Sequence, residues 1–111
     1  MARAHIEVDH AAHAAYIDFG VESRGVGSAV EVSPTVNVDL DRSGVAVGIE
    51  LLSLSPDALS LVQLREKGCL RDEDARLVED NLPAILEFLA GSTAQPAHPG
   101  AQQVDCFYLA S

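Results

Sequence analysis

Apolar and polar positions alternate with a period of two along the first half of the chain. Ile6 and Val8 alternate with His5, Glu7 and Asp9. Ala15, Ile17 and Phe19 alternate with Tyr16 and Asp18, and Val30 and Val32 flank Glu31. Each run reads as a half-buried strand. Residues 9–13 form a short connection suited to a hairpin, and Gly20 to Gly27 make a glycine-bearing loop. After Pro34 come the two best-defined runs, Thr35 to Leu40 and Val45 to Leu51, separated by Asp41-Arg42-Ser43-Gly44. Pairing them around a four-residue turn sets Leu40 opposite Val45, Val38 opposite Val47 and Val36 opposite Ile49. All six then share one face, and Asn37, Asp39, Ala46, Gly48 and Glu50 share the other.

The pattern changes to a helical period after residue 54. Ser55-Pro56-Asp57 is a helix start, because Ser caps free amides, Pro fits the first turn and Asp favours the positive end. Leu59, Val62 and also Leu61 and Leu64 supply an apolar side before Gly68 stops the helix. Asp72 is placed to cap a second helix to about Ala90, with Ala75, Val78, Leu82, Ile85, Leu86 and Leu89 as one stripe. Pro83 predicts a kink or two abutting helices near residues 79–83. The fold class is α+β, a meander-like antiparallel sheet of about five strands with two C-terminal helices covering one face. Residues 1–90 read as one domain, with a β half to 55 and a helical half from 56. Residues 91–103 read as a polar linker, and 104–111 as an apolar tail whose residues 104–109 add an edge strand or fill a groove, in the same protomer or in a neighbour.

Composition narrows the class. A chain of 111 residues, 48% of them apolar, can bury a single core and is too short for two domains. No stretch approaches the length of a membrane helix. The N-terminal MARAHIEVD lacks the long apolar stretch of an export signal, so the cytoplasm is the default location. Seventeen acidic against seven basic side chains give a charge of −10, spread along the chain, which disfavours nucleic acid and anionic membrane surfaces. Cys69 and Cys106 show no metal-like spacing and are expected to be small buried groups.

The runs Ala15-Tyr16-Ile17-Asp18-Phe19, Val30-Glu31-Val32, Val36-Asn37-Val38-Asp39-Leu40-Asp41 and Gly44 with Val47-Gly48-Ile49-Glu50-Leu51 resemble a small bacterial family, domain of unknown function 2283. The resemblance spans about residues 5–53 and is most specific from Val36 to Leu51. It implies a short β-rich fold and carries no activity. Where this chain has His13-Ala14-Ala15-Tyr16, several members have Asp-Ala-Leu-Tyr, so one hairpin acid is missing here.

Three groups of residues invite a chemical reading. Asp39, Asp41, Ser43, Gly44 and Glu50 match the spacing of a calcium-binding EF-hand loop. In the hairpin register above, however, Asp39 faces Ala46 and Glu50 faces Thr35, about 13 Å apart at ~3.3 Å per strand residue, and the flanks are strands. The turn reading prevails, with Asp41 and Ser43 bonding the backbone and Gly44 taking a positive φ. His10 and His13, with Glu7 or His5 as a third ligand, would make an open zinc site. Tyr16 and Asp18, with Glu31, Asn37, Asp39 and Glu50 across the strands, would make an acid/base cluster. The bland readings are an exposed turn and a solvated sheet face. No nucleophile elbow, phosphate loop or dinucleotide fingerprint accompanies them, and no cofactor is expected.

Leu61, Leu70, Leu77 and Phe88 lie off the helical stripes, an apparent surplus of apolar surface that predicts self-association. The expected function is therefore a non-catalytic homodimerising or protein-interaction module. The alternative is a small hydrolytic or metal-dependent enzyme using Tyr16, Asp18 and Glu31 or the His10/His13 pair.

Overall fold

The structure, a computed structural model, describes residues 3–20, 25–67, 69–91 and 104–110. Six strands form one sheet: β1 (Arg3–Asp9), β2 (Ala14–Asp18), β3 (Ser28–Ser33), β4 (Val36–Leu40), β5 (Ala46–Leu51) and β6 (Val104–Ala110). Their order is β3-β4-β5-β2-β1-β6, with every neighbouring pair antiparallel. The order departs from a simple meander. Hairpin β1–β2 and meander β3–β4–β5 are two local units, and β2 is zipped to β5 through Ala15↔Leu51 and Ile17↔Ile49. The tail supplies the sixth strand, which pairs with β1 of the same chain.

Alternation places Ile6, Val8, Ile17, Val36, Val38, Ile49 and Leu51 on the covered face, all fully buried or nearly so. Ile6, Ile17 and Ile49 sit in register across β1, β2 and β5, followed by Val38 on β4. Each such side chain contributes about 1.5–3 kcal/mol by leaving water, so this row anchors the centre of the sheet.

The β4–β5 hairpin differs in register from the expected one. Asp41 and Val45 close a three-residue loop, with Asp41 N–H donating to the Val45 carbonyl at 2.8 Å, and Leu40 then pairs with Ala46. That is one residue short of the expected turn. A bulge follows, in which Asp39 pairs with Gly48 and Val47 is the extra residue. The two one-residue slips add, so Val38 meets Ile49 and Val36 meets Leu51. Between them the alternation is disturbed: Ala46 joins the core cluster, Val45 is half-buried, and Val47 is buried at the bulge without belonging to that cluster. The turn itself is as expected at two positions. Asp41 Oδ1 accepts from Ser43 N–H at 2.8 Å and Val45 N–H at 3.0 Å, and Gly44 has φ +82°. Ser43 contributes its amide.

Three α-helices cover the apolar face, where two were expected: α1 (Leu61–Lys67), α2 (Asp72–Asp80) and α3 (Leu82–Ala90). Ser55 does cap a helical start, but Pro56–Ala58 is only a 3-10 turn, and Leu59 is extended. A second start at Ser60, whose Oγ accepts from Gln63 N–H at 3.3 Å, resets the helical phase. Leu64 therefore points inward and Val62 outward, 66% exposed. Arg71, one residue before the predicted Asp72, holds the N-cap position of α2, without a side-chain cap bond. The break before Pro83 appears as two abutting helices hinged at Asn81, whose Nδ2 donates to the Leu77 carbonyl at 2.8 Å. Gly68, expected to end α1, lies outside the described residues, as do 21–24 of the loop and 92–103 of the linker.

The apparent apolar surplus is absorbed within the chain. Leu77 is fully buried, and Leu61, Leu70 and Phe88 pack against the core. Both cysteines, expected to be buried, are exposed. Among the described residues no helix is long and apolar enough to cross a membrane.

Candidate functional site

The face of the sheet away from the helices is polar, and strand register dictates what meets there. One row runs Glu31, Asn37, Glu50, Tyr16, Glu7, Cys106 from β3 to β6. The next runs Ala29, Asp39, Gly48, Asp18, His5, Tyr108.

Tyr16 is the centre of the first group. Its hydroxyl donates to Asp39 Oδ2 at 2.9 Å, on the far side of β5. The phenol reaches that far because Gly48 has no side chain: a Cβ there would lie 1.9 Å from the Tyr16 hydroxyl. A glycine inside a strand marks just such a close approach. Glu50, opposite Tyr16, accepts from Asn37 Nδ2 at 3.3 Å. Glu7, Asp9, Ala14, Ala15, Tyr16 and Glu50 line an open groove of about 260 Å³. Asp18 Oδ1 accepts from Gly20 N–H at 2.8 Å and holds the strand end. Glu31 is exposed on β3, three strands from Tyr16 and so ~14 Å away. The face thus brings Tyr16, Asp18, Asp39 and Glu50 together and leaves Glu31 apart.

Electrostatics assign Tyr16 a role. Burial pushes its phenol well above the ordinary tyrosine range, and the Asp39 hydrogen bond and the charges of Asp39, Asp18 and Glu50 push the same way. The neutral phenol is favoured, so Tyr16 is a hydrogen-bond donor at neutral pH and not a base.

The observed register changes the argument about calcium. Asp39 pairs with Gly48, and Glu50 pairs with Asn37 and Tyr16, so the two acids sit about two strand residues apart on one face, closer than the expected ~13 Å. Calcium is disfavoured on other grounds: Asp41 spends its Oδ1 on two turn amides, and strands flank the loop.

His10 and His13 occupy the β1–β2 turn. His13 is exposed with φ +53°, and its N–H donates to the His10 carbonyl at 3.3 Å. His10 is half-buried against the end of α3, where a Cβ on Gly91 would lie 2.4 Å from its Cε1. Their suggested third ligands, His5 and Glu7, lie elsewhere, beside Cys106. Among the described residues these three form a group whose ligand atoms all lie within 4.8 Å of one another. His5 Nε2 is 3.5 Å from Glu7 Oε1, and its ring lies 5.7 Å from that of Tyr108. Sequence reasoning missed Cys106 because about a hundred residues separate it from His5, and only the β1–β6 pairing unites them. Gly48 carried a legible signal, a glycine interrupting an alternating run.

Residues 5–55 match the family model described as Protein of unknown function (DUF2283). The resemblance read from the strand motifs therefore holds, over the β half alone. No curated protein and no solved structure matches the chain.

Proposed function

We propose that this chain is a non-catalytic interaction module that self-associates through the outer edge of β6, which pairs with no second strand among the described residues. The observation that carries the reading is a contrast between the two edges of the sheet. Edge strands expose unpaired amides and carbonyls, and proteins blunt them with charges, prolines or bulges. β3 has a bulge between Glu31 and Ser33, the charge of Glu31, and Pro34 at its end. β6 also carries one acid, Asp105, but it pairs with β1 over seven residues without a bulge, contains no Lys, Arg or Pro, and presents Tyr108 with 76% of its surface exposed. A second copy pairing β6 against β6 about a two-fold axis would satisfy both edges at once and continue the sheet. The same edge would accept a strand from another protein, a subordinate form of the same reading.

Light scattering on the full chain at tens of micromolar tests it. The expected mass is twice the 11.7 kDa of one chain, and Tyr108→Lys, which places a cation on the edge, should lower the dimer population at least tenfold. Because each copy carries −10, added salt should favour the dimer. A mass of one chain at every salt concentration overturns the reading, as does a dimer indifferent to Tyr108→Lys.

The enzyme alternative draws less support from the geometry. Its central phenol is held neutral, and its groove is open.

A further inference from the structure

The geometry points to a divalent-metal site on the polar face of β1 and β6, formed by His5, Glu7 and Cys106 and suited to zinc. His5 and Glu7 are two apart on one strand and so project from the same face; Cys106 is the direct cross-strand partner of Glu7. An imidazole, a carboxylate and a thiol thus converge with their ligand atoms all within 4.8 Å. Ligands around a tetrahedral zinc, at ~2.0–2.3 Å from the ion, lie ~3.3–3.8 Å from one another. The His5–Glu7 separation of 3.5 Å already meets that spacing. Side-chain rotation of Glu7 and Cys106, both exposed, closes the rest.

The donor set selects the class of ion. Calcium and magnesium take oxygen ligands, whereas thiolate with imidazole suits zinc and its softer neighbours. Thiolate and carboxylate balance the two charges of the cation. A pairing of His5 with Glu7 alone would account for those two residues; it gives no role to an exposed thiol aligned with both. The Tyr108 ring lies beside that of His5, tilted at 46°. Three protein ligands leave a fourth position for water or a ligand group, the arrangement of open zinc sites, as distinct from closed structural ones.

The site is read by a different signal from self-association. Full-length chain, stripped of metal and kept reduced with a non-thiol reductant, is titrated with Co2+ and then Zn2+. One equivalent of Co2+ should produce a thiolate-to-cobalt charge-transfer band and the intense visible bands of a four-coordinate ion, and one equivalent of Zn2+ should remove them. Cys106→Ser should abolish the charge-transfer band. His5→Gln and Glu7→Gln should each weaken binding at least tenfold, with circular dichroism unchanged. Cys69→Ser and the double variant His10→Gln/His13→Gln should behave like the parent chain. A parent chain without the charge-transfer band overturns the assignment. So does a band that survives Cys106→Ser, or binding lost on substitution of His10 and His13 and retained without Cys106.

Discussion

At the scale of single residues, the pair Tyr16 and Gly48 is the sharpest case of one position defining another. The Tyr16–Asp39 hydrogen bond exists because position 48 is empty, so Gly48→Ala and Tyr16→Phe remove the same interaction by different routes. Each should cost about 1 kcal/mol in urea unfolding, and the double variant should cost less than the two together. Stability should also fall at high pH. The folded phenol has a raised pKa, so its contribution is complete below the unfolded tyrosine value of about 10 and is lost as the pH climbs beyond it. Tyr16→Phe should flatten the alkaline limb of stability against pH. Tyr16 and its acidic neighbours were legible in the sequence as a polar face. That Tyr16 acts by donating, and that Glu31 stands apart, depends on strand order, which alternation cannot reveal.

At the scale of elements, helix α2 shows what periodicity captures and what it omits. Ala75 and Val78 follow the apolar stripe inward, but Asp74 is buried beside them at 1% exposure. Arg71 Nε donates to Asp74 Oδ2 at 3.1 Å, and its guanidinium also meets Glu73 at 3.2 Å. Removing the cation should be worse than removing the acid, since a buried carboxylate without its counter-charge is costly. Arg71→Ala should lose ~2 kcal/mol by chemical denaturation, and Asp74→Asn less. The strands and the helical break at Asn81 were readable from alternation and from Pro83. The 3-10 turn and fresh cap at Ser60 were not, because Ser55-Pro56-Asp57 is an equally good local start and the sheet decides which phase survives. The hairpin lesson is similar. Asp41 and Gly44 announced a turn, yet a three-residue loop followed by a bulge restores the same alternation as a four-residue loop without one.

At the scale of the whole molecule, the sheet closes with strands from opposite ends of the sequence. Leu109 on β6 is buried in the same core as Ile17 and Ile49. Leu109→Ala should therefore cost ~2–4 kcal/mol in urea unfolding, as an interior leucine does; a cost near zero would show that the tail packs only weakly. The tail's apolar character pointed to its docking. The strand it joins was unforeseeable, because nothing local links residue 5 to residue 108.

That pairing also has a consequence in time. Contacts across such a long stretch are made only after the intervening chain has been closed, so β1–β6 should be the last zipper to form. At ~5–20 residues per second on the ribosome, β1 waits roughly five to twenty seconds for its partner. During that interval Ile6 and Val8 lie on a strand with an open flank. A nascent chain halted before residue 104 is thus the form of this protein most exposed to clumping and to capture by chaperones.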